Sequence, residues 1–266
     1  MLTRSQVVDR AETIVSDLDS FRAQHGQSEA LTLVWEKYVE AETDPDMRRL
    51  GELIADSRRQ AMIQHQLDDD REAMHSGRLN REQFQEMQHR FDTLRRNACV
   101  YNHMTRVFID EYAEVVSEHE IVDWMIGASF GARQWALAVV RGAVSEIALR
   151  RALLNMPELS GVRHSTVEED LVGIDFIAQC QGQVLTIDAK SGLYRPLSLH
   201  KRGHRHLEIS VPRDAIEKLR LSDEGEKLLH EEIRQALGES GEKARPSRHL
   251  EERHKDFHEE QWHYRK

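Results

Sequence analysis

The sequence predicts an α/β (α+β) protein: an N-terminal all-helical region followed by a core with a central mixed four-stranded sheet flanked by helices. Three observations carry that expectation. The chain is nearly free of glycine and keeps helical apolar spacing to about residue 116. Strand-like apolar runs begin only after residue 160, the clearest two being joined by Gln181-Gly182. An alanine-rich helical segment stands directly before them.

The helical elements follow in order. Residues 2–23 place Val7, Val8, Ala11, Ile14, Val15, Leu18 and Phe21 at helical spacing. Residues 30–41 do the same with Leu31, Val34, Trp35, Tyr38 and Val39. Thr43-Asp44-Pro45 closes that helix and opens another, because proline's fixed φ suits a first helical turn. The third helix covers residues 47–75, with a sparse apolar stripe and the acidic run Asp68-Asp69-Asp70. Ser76-Gly77 turns the chain. Asn80 with Gln83 has the spacing of a capping box for a long helix to residue 116, and Ser117 with Glu120 repeats it for the next. Long polar helices with thin apolar stripes pack as hairpins or form a dimerising arm.

From Gly127 the composition turns apolar. Residues 130–154 read as a helix ended by Asn155-Met156-Pro157. Strands are expected over 162–167, 172–179 and 183–189, then a basic, histidine-bearing connection over 194–206 and a fourth strand over 207–211. Pro212 and Asp214 suggest a helix to Leu221, and another is expected over 223–237. The polar remainder reads as a mobile tail or exposed helix. The domains are then 1–124 (helical: dimerisation, clamp or partner binding), 125–237 (α/β) and 238–266 (charged tail).

Composition narrows the classes. A chain of 266 residues that is 39% hydrophobic and 32% charged, with formal net charge −10, can bury a real core while keeping long solvated helices. The acidity argues against a general nucleic-acid coat but leaves room for an enzyme with a local basic groove. Two cysteines, Cys99 and Cys180, make no disulfide framework. No run approaches a membrane span, and the first residues lack a secretory core. A cytoplasmic protein without membrane contact is expected.

The charged residues inside the apolar runs are the informative ones. Asp188 and Lys190 share a strand face by alternation, and an antiparallel hairpin brings Asp175 near them. Close carboxylates repel, and burial raises the cost; a divalent cation removes it. Glu146 has helical neighbours Val139, Gly142, Ala143, Leu149, Arg150 and Leu153, so it lies on the buried stripe, where an uncompensated carboxylate is costly. Singly, each has an ordinary reading: Asp188 with Lys190 a surface ion pair, Asp175 an edge-strand charge, Glu146 a partner of Arg150.

In order, a helix with an inward glutamate, a strand, a strand with Asp, a turn and a strand with Asp-x-Lys resembles the PD-(D/E)xK nuclease superfamily, which includes restriction endonucleases and archaeal Holliday-junction resolvases. The resemblance covers about residues 130–221 and implies a restriction-endonuclease-like core. Asp175 is similar to the metal-binding aspartate of the second core strand, Asp188 and Lys190 to the (D/E)xK pair, and Glu146 to the first-helix glutamate. Two features depart from the pattern: Ile174-Asp175 replaces the frequent Pro-Asp, and the segment after Lys190 is not obviously the helix often found there.

What the resemblance implies is hydrolysis of phosphodiester bonds in DNA, in defence, repair or recombination. Mg²⁺ or Mn²⁺ would be held by Asp175, Asp188, the Ala189 carbonyl and Glu146, with Lys190 positioning a water or stabilising phosphate charge. Arg195, Lys201, Arg202 and Arg205 read either as phosphate contacts or as a solvated basic loop. His200, His204 and His206 have no cysteine pair or glutamate at metal spacing and read as polar loop residues or phosphate contacts. DNA is the expected partner, and the helical region is a candidate for homodimerisation. The rival readings are a nuclease-like module that binds without cutting and a helical scaffold in which the hairpin is incidental.

Overall fold

The computed structural model describes residues 2–112, 114–126, 133–190, 197–201, 204–211 and 213–238. The helical part opens with α1 (Arg4–His25), capped by Thr3 and Gln6. Next, α2 (Gln27–Trp35) runs into a π-helical turn, Glu36–Glu40. Asp44 starts α3 (Pro45–His75) by accepting from the N–H groups of Asp46 and Met47, with Pro45 in the first turn. Asn80 and Gln83 exchange side chain–backbone hydrogen bonds of 2.9 and 3.1 Å at the start of α4 (Arg81–Tyr112). Ser117 and Glu120 do the same for α5 (Glu118–Met125). The starts of α3, α4 and α5 lie where the capping signals place them, whereas α2 begins at Gln27, ahead of the expected residue 30 and without a side-chain cap. α3 and α4 form a hairpin around Ser76-Gly77. Gly51 lets α3 approach the π-turn closely, since a Cβ there would meet Tyr38 Cβ at 2.5 Å.

The helix α6 (Arg133–Leu154) is shared between two cores. Its first half (Ala136, Val140, Ala143, Val144, Ile147) packs with Val7, Ile14, Leu50, Phe108 and Ile121 of the helical bundle. Its second half (Ala148, Leu149, Ala152, Leu153) packs on the sheet. Burying each large apolar side chain favours the folded state by about 1.5–3 kcal/mol, so α6 ties the two halves together.

The sheet is mixed, with strands β1 (Leu159–His164), β2 (Phe176–Cys180), β3 (Gln183–Lys190), β4 (Leu197–Lys201) and β5 (His204–Ser210) in the order β1-β2-β3-β5-β4. β3 and β5 are parallel; the other neighbours are antiparallel. A short α7 (Val167–Asp170) lies between β1 and β2. Gln181 and Gly182, at φ 51° and 76°, make the two-residue turn between β2 and β3, both in the left-handed region that such a hairpin needs. Phe176, Ala178, Cys180, Leu185, Ile187, Leu207 and Ile209 form the core face against α6 and α8 (Asp223–Gly238).

Several local expectations are corrected: the strands expected over 162–167 and 172–179 run over Leu159–His164 and Phe176–Cys180, which leaves Asp175 just before its strand. The sheet has five strands rather than four, because part of the basic connection pairs with β5 as β4. The expected helix to Leu221 is instead a 3₁₀ turn (Arg213–Ala215) and a small hairpin, β6 (Ile216–Glu217) and β7 (Arg220–Leu221). Its turn residues Lys218 and Leu219 stand at positive φ, which costs non-glycine residues strain. That strain is offset because Leu219 enters the helical core while Leu221 enters the sheet core. The tail, 239–266, lies outside the described residues, among which no helix is long and apolar enough to cross a membrane.

Candidate active site

On the sheet face opposite the α6 core, alternation sets Thr186, Asp188 and Lys190 of β3 beside His206 and Glu208 of β5. The parallel register pairs Asp188 with Glu208 and Thr186 with His206. Asp188 and His206 are buried; Glu208 is partly so. Thr186 Oγ1 lies 2.9 Å from His206 Nδ1, which fixes the ring. Asp188, His206 and Glu208 each offer a ligand atom, all within 4.8 Å of one another. Two carboxylates and an imidazole at that spacing are a donor set for a divalent cation.

Lys190 Nζ stands 2.5 Å from Asp188 Oδ2. Burial favours the neutral amine, yet the Asp188 contact and the charges of Glu208 and Asp175 outweigh it and hold the ammonium above its usual range. Lys190 thus occupies the place where positive charge is wanted.

Asp175 sits one residue before β2 and is tied to both neighbouring strands. Its N–H donates to the Ile187 carbonyl (2.8 Å), and its carbonyl accepts from the Ser165 N–H (2.9 Å). Its Oδ2 accepts from the Ala189 N–H at 2.6 Å, so the carboxylate lies along β3. Burial, reinforced by Glu146, Asp188 and Asp170, pushes its pKa up to about 8. Glu146, three-quarters buried on α6, is shifted upward too: burial dominates, Arg106 opposes it, and Asp170 and Asp188 add to it. Asp170, at the end of α7, rises by burial and the charge of Asp188, against Arg106 and Arg95.

The counter-charge comes from one face of α4. Arg106 Nη1 contacts Glu146 Oε2 at 2.5 Å. Arg95 donates to the Leu171 carbonyl (3.1 Å), and Arg96 pairs with Glu168. These contacts dock the helical bundle against the segment that delivers Asp170 and Asp175.

Glu146, Asp175, Asp188 and Lys190 therefore share one electrostatic neighbourhood. Among the described residues, the tight donor group is nevertheless Asp188, His206 and Glu208; Glu146 and Asp175 stand outside it. Arg106 draws Glu146 away, and the Ala189 N–H holds Asp175. Ala189 points its side chain at the sheet core. Arg195 and Arg202 lie outside the described residues. Lys201 ends β4, and Arg205 lies on β5 opposite His200; their side chains lie outside the described part.

Comparison with family models, with curated proteins and with solved structures finds no match.

Four participants escape the sequence reading: Asp170, Arg106, His206 and Glu208. A signal for the last two exists. His206 lies on β5 rather than in a connection, two residues from Glu208 on the same strand, so a glutamate does stand at metal spacing. For Arg106 the signal is the 4-4-3 spacing of Arg95, Cys99, His103 and Arg106, one face of α4.

Proposed function

We propose that this protein is a metal-dependent nuclease hydrolysing phosphodiester bonds in DNA, with Asp188 at the centre of its site. The observation that carries the reading is the gathering of Glu146, Asp170, Asp175 and Glu208 around Asp188, with Lys190 in contact. The order of Glu146, Asp175, Asp188 and Lys190 along the chain, resembling PD-(D/E)xK nucleases, supports it independently.

The residues fit a divalent cation. Asp188, His206 and Glu208 would hold it, and Asp175 and Glu146 add negative charge close by. An imidazole in the set suits Mn²⁺ better than Mg²⁺, which prefers oxygen donors. Bound there, the ion supplies Lewis acidity toward a phosphoryl oxygen and a lowered pKa for water. Lys190, freed from Asp188, donates to a phosphate oxygen where charge develops. Thr186 keeps the His206 ring in one orientation. Asp175, anchored through Oδ2 on the Ala189 N–H, keeps its other oxygen for a proton or a ligand water. The helical bundle would hold DNA or pair two copies of the chain.

The test is cleavage of linear, circular and branched DNA with Mg²⁺ or Mn²⁺, wild type beside Asp188→Ala and Lys190→Ala. Both substitutions are expected to abolish cutting, while Lys190→Ala still binds metal. Equal activity in all three would remove the proposal. A second reading, a nuclease-like module that binds DNA without cutting, is favoured by the pairs Arg106–Glu146 and Lys190–Asp188, which neutralise two carboxylates without a cation. Binding without cleavage in either metal would select it.

A further inference from the structure

Behind Glu146, between α4 and α6 and reaching β1, lies a cavity of about 180 Å³ lined by His103, Arg106, Asp110, Arg150, Arg151 and His164 together with Val107 and Ile147. Three guanidinium groups and two imidazoles converge on it, in a chain whose net charge is −10. Its single lining carboxylate, Asp110, is already taken by Arg151 at 2.7 Å. Arg106 is engaged with Glu146 and, through Nη2, with His103 Nδ1 at 2.6 Å.

Arg150 is different. Among the described residues it has no carboxylate within ion-pair distance, and its Nε is buried without a hydrogen-bond partner. His164 Nδ1 is likewise buried and unpartnered, its ring resting on Phe176 with centroids 4.9 Å apart. The Arg150 Nε–H and a ring nitrogen of His164, both left unsatisfied in one cavity, call for a polar partner with several oxygens. The surrounding cations agree: His164 is held neutral, its pKa pushed down to about 3 by burial and by Arg106, Arg150 and His103.

We propose that this cavity binds a phosphate monoester through Arg150 and His164, with Arg151, held by Asp110, Glu114 and the Leu219 carbonyl, adding positive charge beside them. Phosphate suits it better than a carboxylate because a terminal phosphate offers three oxygens to donors arriving from α6 and β1. Arg106 lines the cavity and holds Glu146, so an anion seated there competes for the group that neutralises Glu146. Only the source of the phosphate rests on the nuclease reading: a terminal phosphate of a nucleic acid, as opposed to free phosphate or a small phosphoester.

The test uses the full chain without divalent metal. Calorimetric titration with inorganic phosphate is expected to show one site, weakened at least tenfold by Arg150→Gln. Fluorescence anisotropy with oligonucleotides bearing a 5′-phosphate, a 3′-phosphate or hydroxyl ends is expected to show about tenfold tighter binding for one phosphorylated end, lost in Arg150→Gln. Phosphate binding without end discrimination keeps the pocket but assigns it to a small phosphoester. Absence of phosphate binding by the wild-type chain overturns the proposal, whether or not the chain cleaves DNA. Should Arg150→Gln fail to fold, protection of Arg150 from phenylglyoxal by phosphate in the wild type decides it, and unprotected modification counts against the pocket.

Discussion

Arg106 of α4 and Glu146 of α6 meet at 2.5 Å across the seam between the helical bundle and the sheet, each more than half buried. The pair keeps a carboxylate on α6's inward face. Removing only the cation leaves that carboxylate uncompensated, and breaking such a pair costs about 3 kcal/mol. Arg106→Leu should therefore lower the urea midpoint of the metal-free protein at constant m, and Arg106→Leu with Glu146→Leu should recover most of the loss. A midpoint unmoved by the single substitution would show that the pair is not desolvated in solution.

The proposed cation site at Asp188, His206 and Glu208 gives a second prediction. His206→Ala or Glu208→Gln should weaken Mn²⁺ binding at least tenfold by calorimetry, and His206→Asp should shift preference toward Mg²⁺. Asp175→Ala should have a smaller effect, because Asp175 stands outside the tight donor group. If Asp175→Ala abolished binding while His206→Ala did not, the cation would belong to Asp175, Asp188, Ala189 and Glu146, the set implied by the PD-(D/E)xK resemblance.

These two predictions mark how far the sequence alone reaches. Asn80 with Gln83, Ser117 with Glu120 and Gln181-Gly182 are legible because each is a contract between residues at most three apart. Asp175, Asp188 and Lys190 are legible for a similar reason: one tight turn and the alternation of strands fix which side chains face one another. Arg106 is not, since its meeting with Glu146, 40 residues away, depends on how two helices cross. Neither is the pairing of Asp188 with Glu208, because a parallel register carries no turn to announce it. The hairpin at Lys218 and Leu219 is illegible for the opposite reason. Its local spacing reads as helix, and two separate cores override it.

Asp175 predicts a pH dependence. Its folded pKa of about 8 lies above the unfolded value near 3.9. Between those limits the unfolded chain releases a proton that the folded chain keeps, so metal-free stability falls as pH rises and levels off above about 8. Asp175→Asn keeps an acceptor for the Ala189 N–H and removes the charge. It should raise the melting temperature at pH 8 and flatten this slope, while saturating Mn²⁺ should flatten it in the wild type. A variant no more stable than wild type at pH 8 would refute the assignment.

His164 produces the opposing slope. Its folded pKa of about 3 lies below the unfolded value near 6.5, because the ring is buried among Arg106, Arg150 and His103. Below pH 6.5 the unfolded chain takes up a proton that the folded chain refuses, so stability is lost as pH falls, by at most about 1.4 kcal/mol per pH unit. Between pH 6.5 and 5, His164→Phe should remove this loss. Asp175→Asn should leave it in place and, with the opposing slope gone, make it more evident. The ring's contact with Phe176 is preserved by phenylalanine, which separates loss of titration from loss of packing. Denaturation midpoints at pH 5 and 6.5 for wild type and both variants check this. An unchanged slope in His164→Phe would place the titrating group elsewhere.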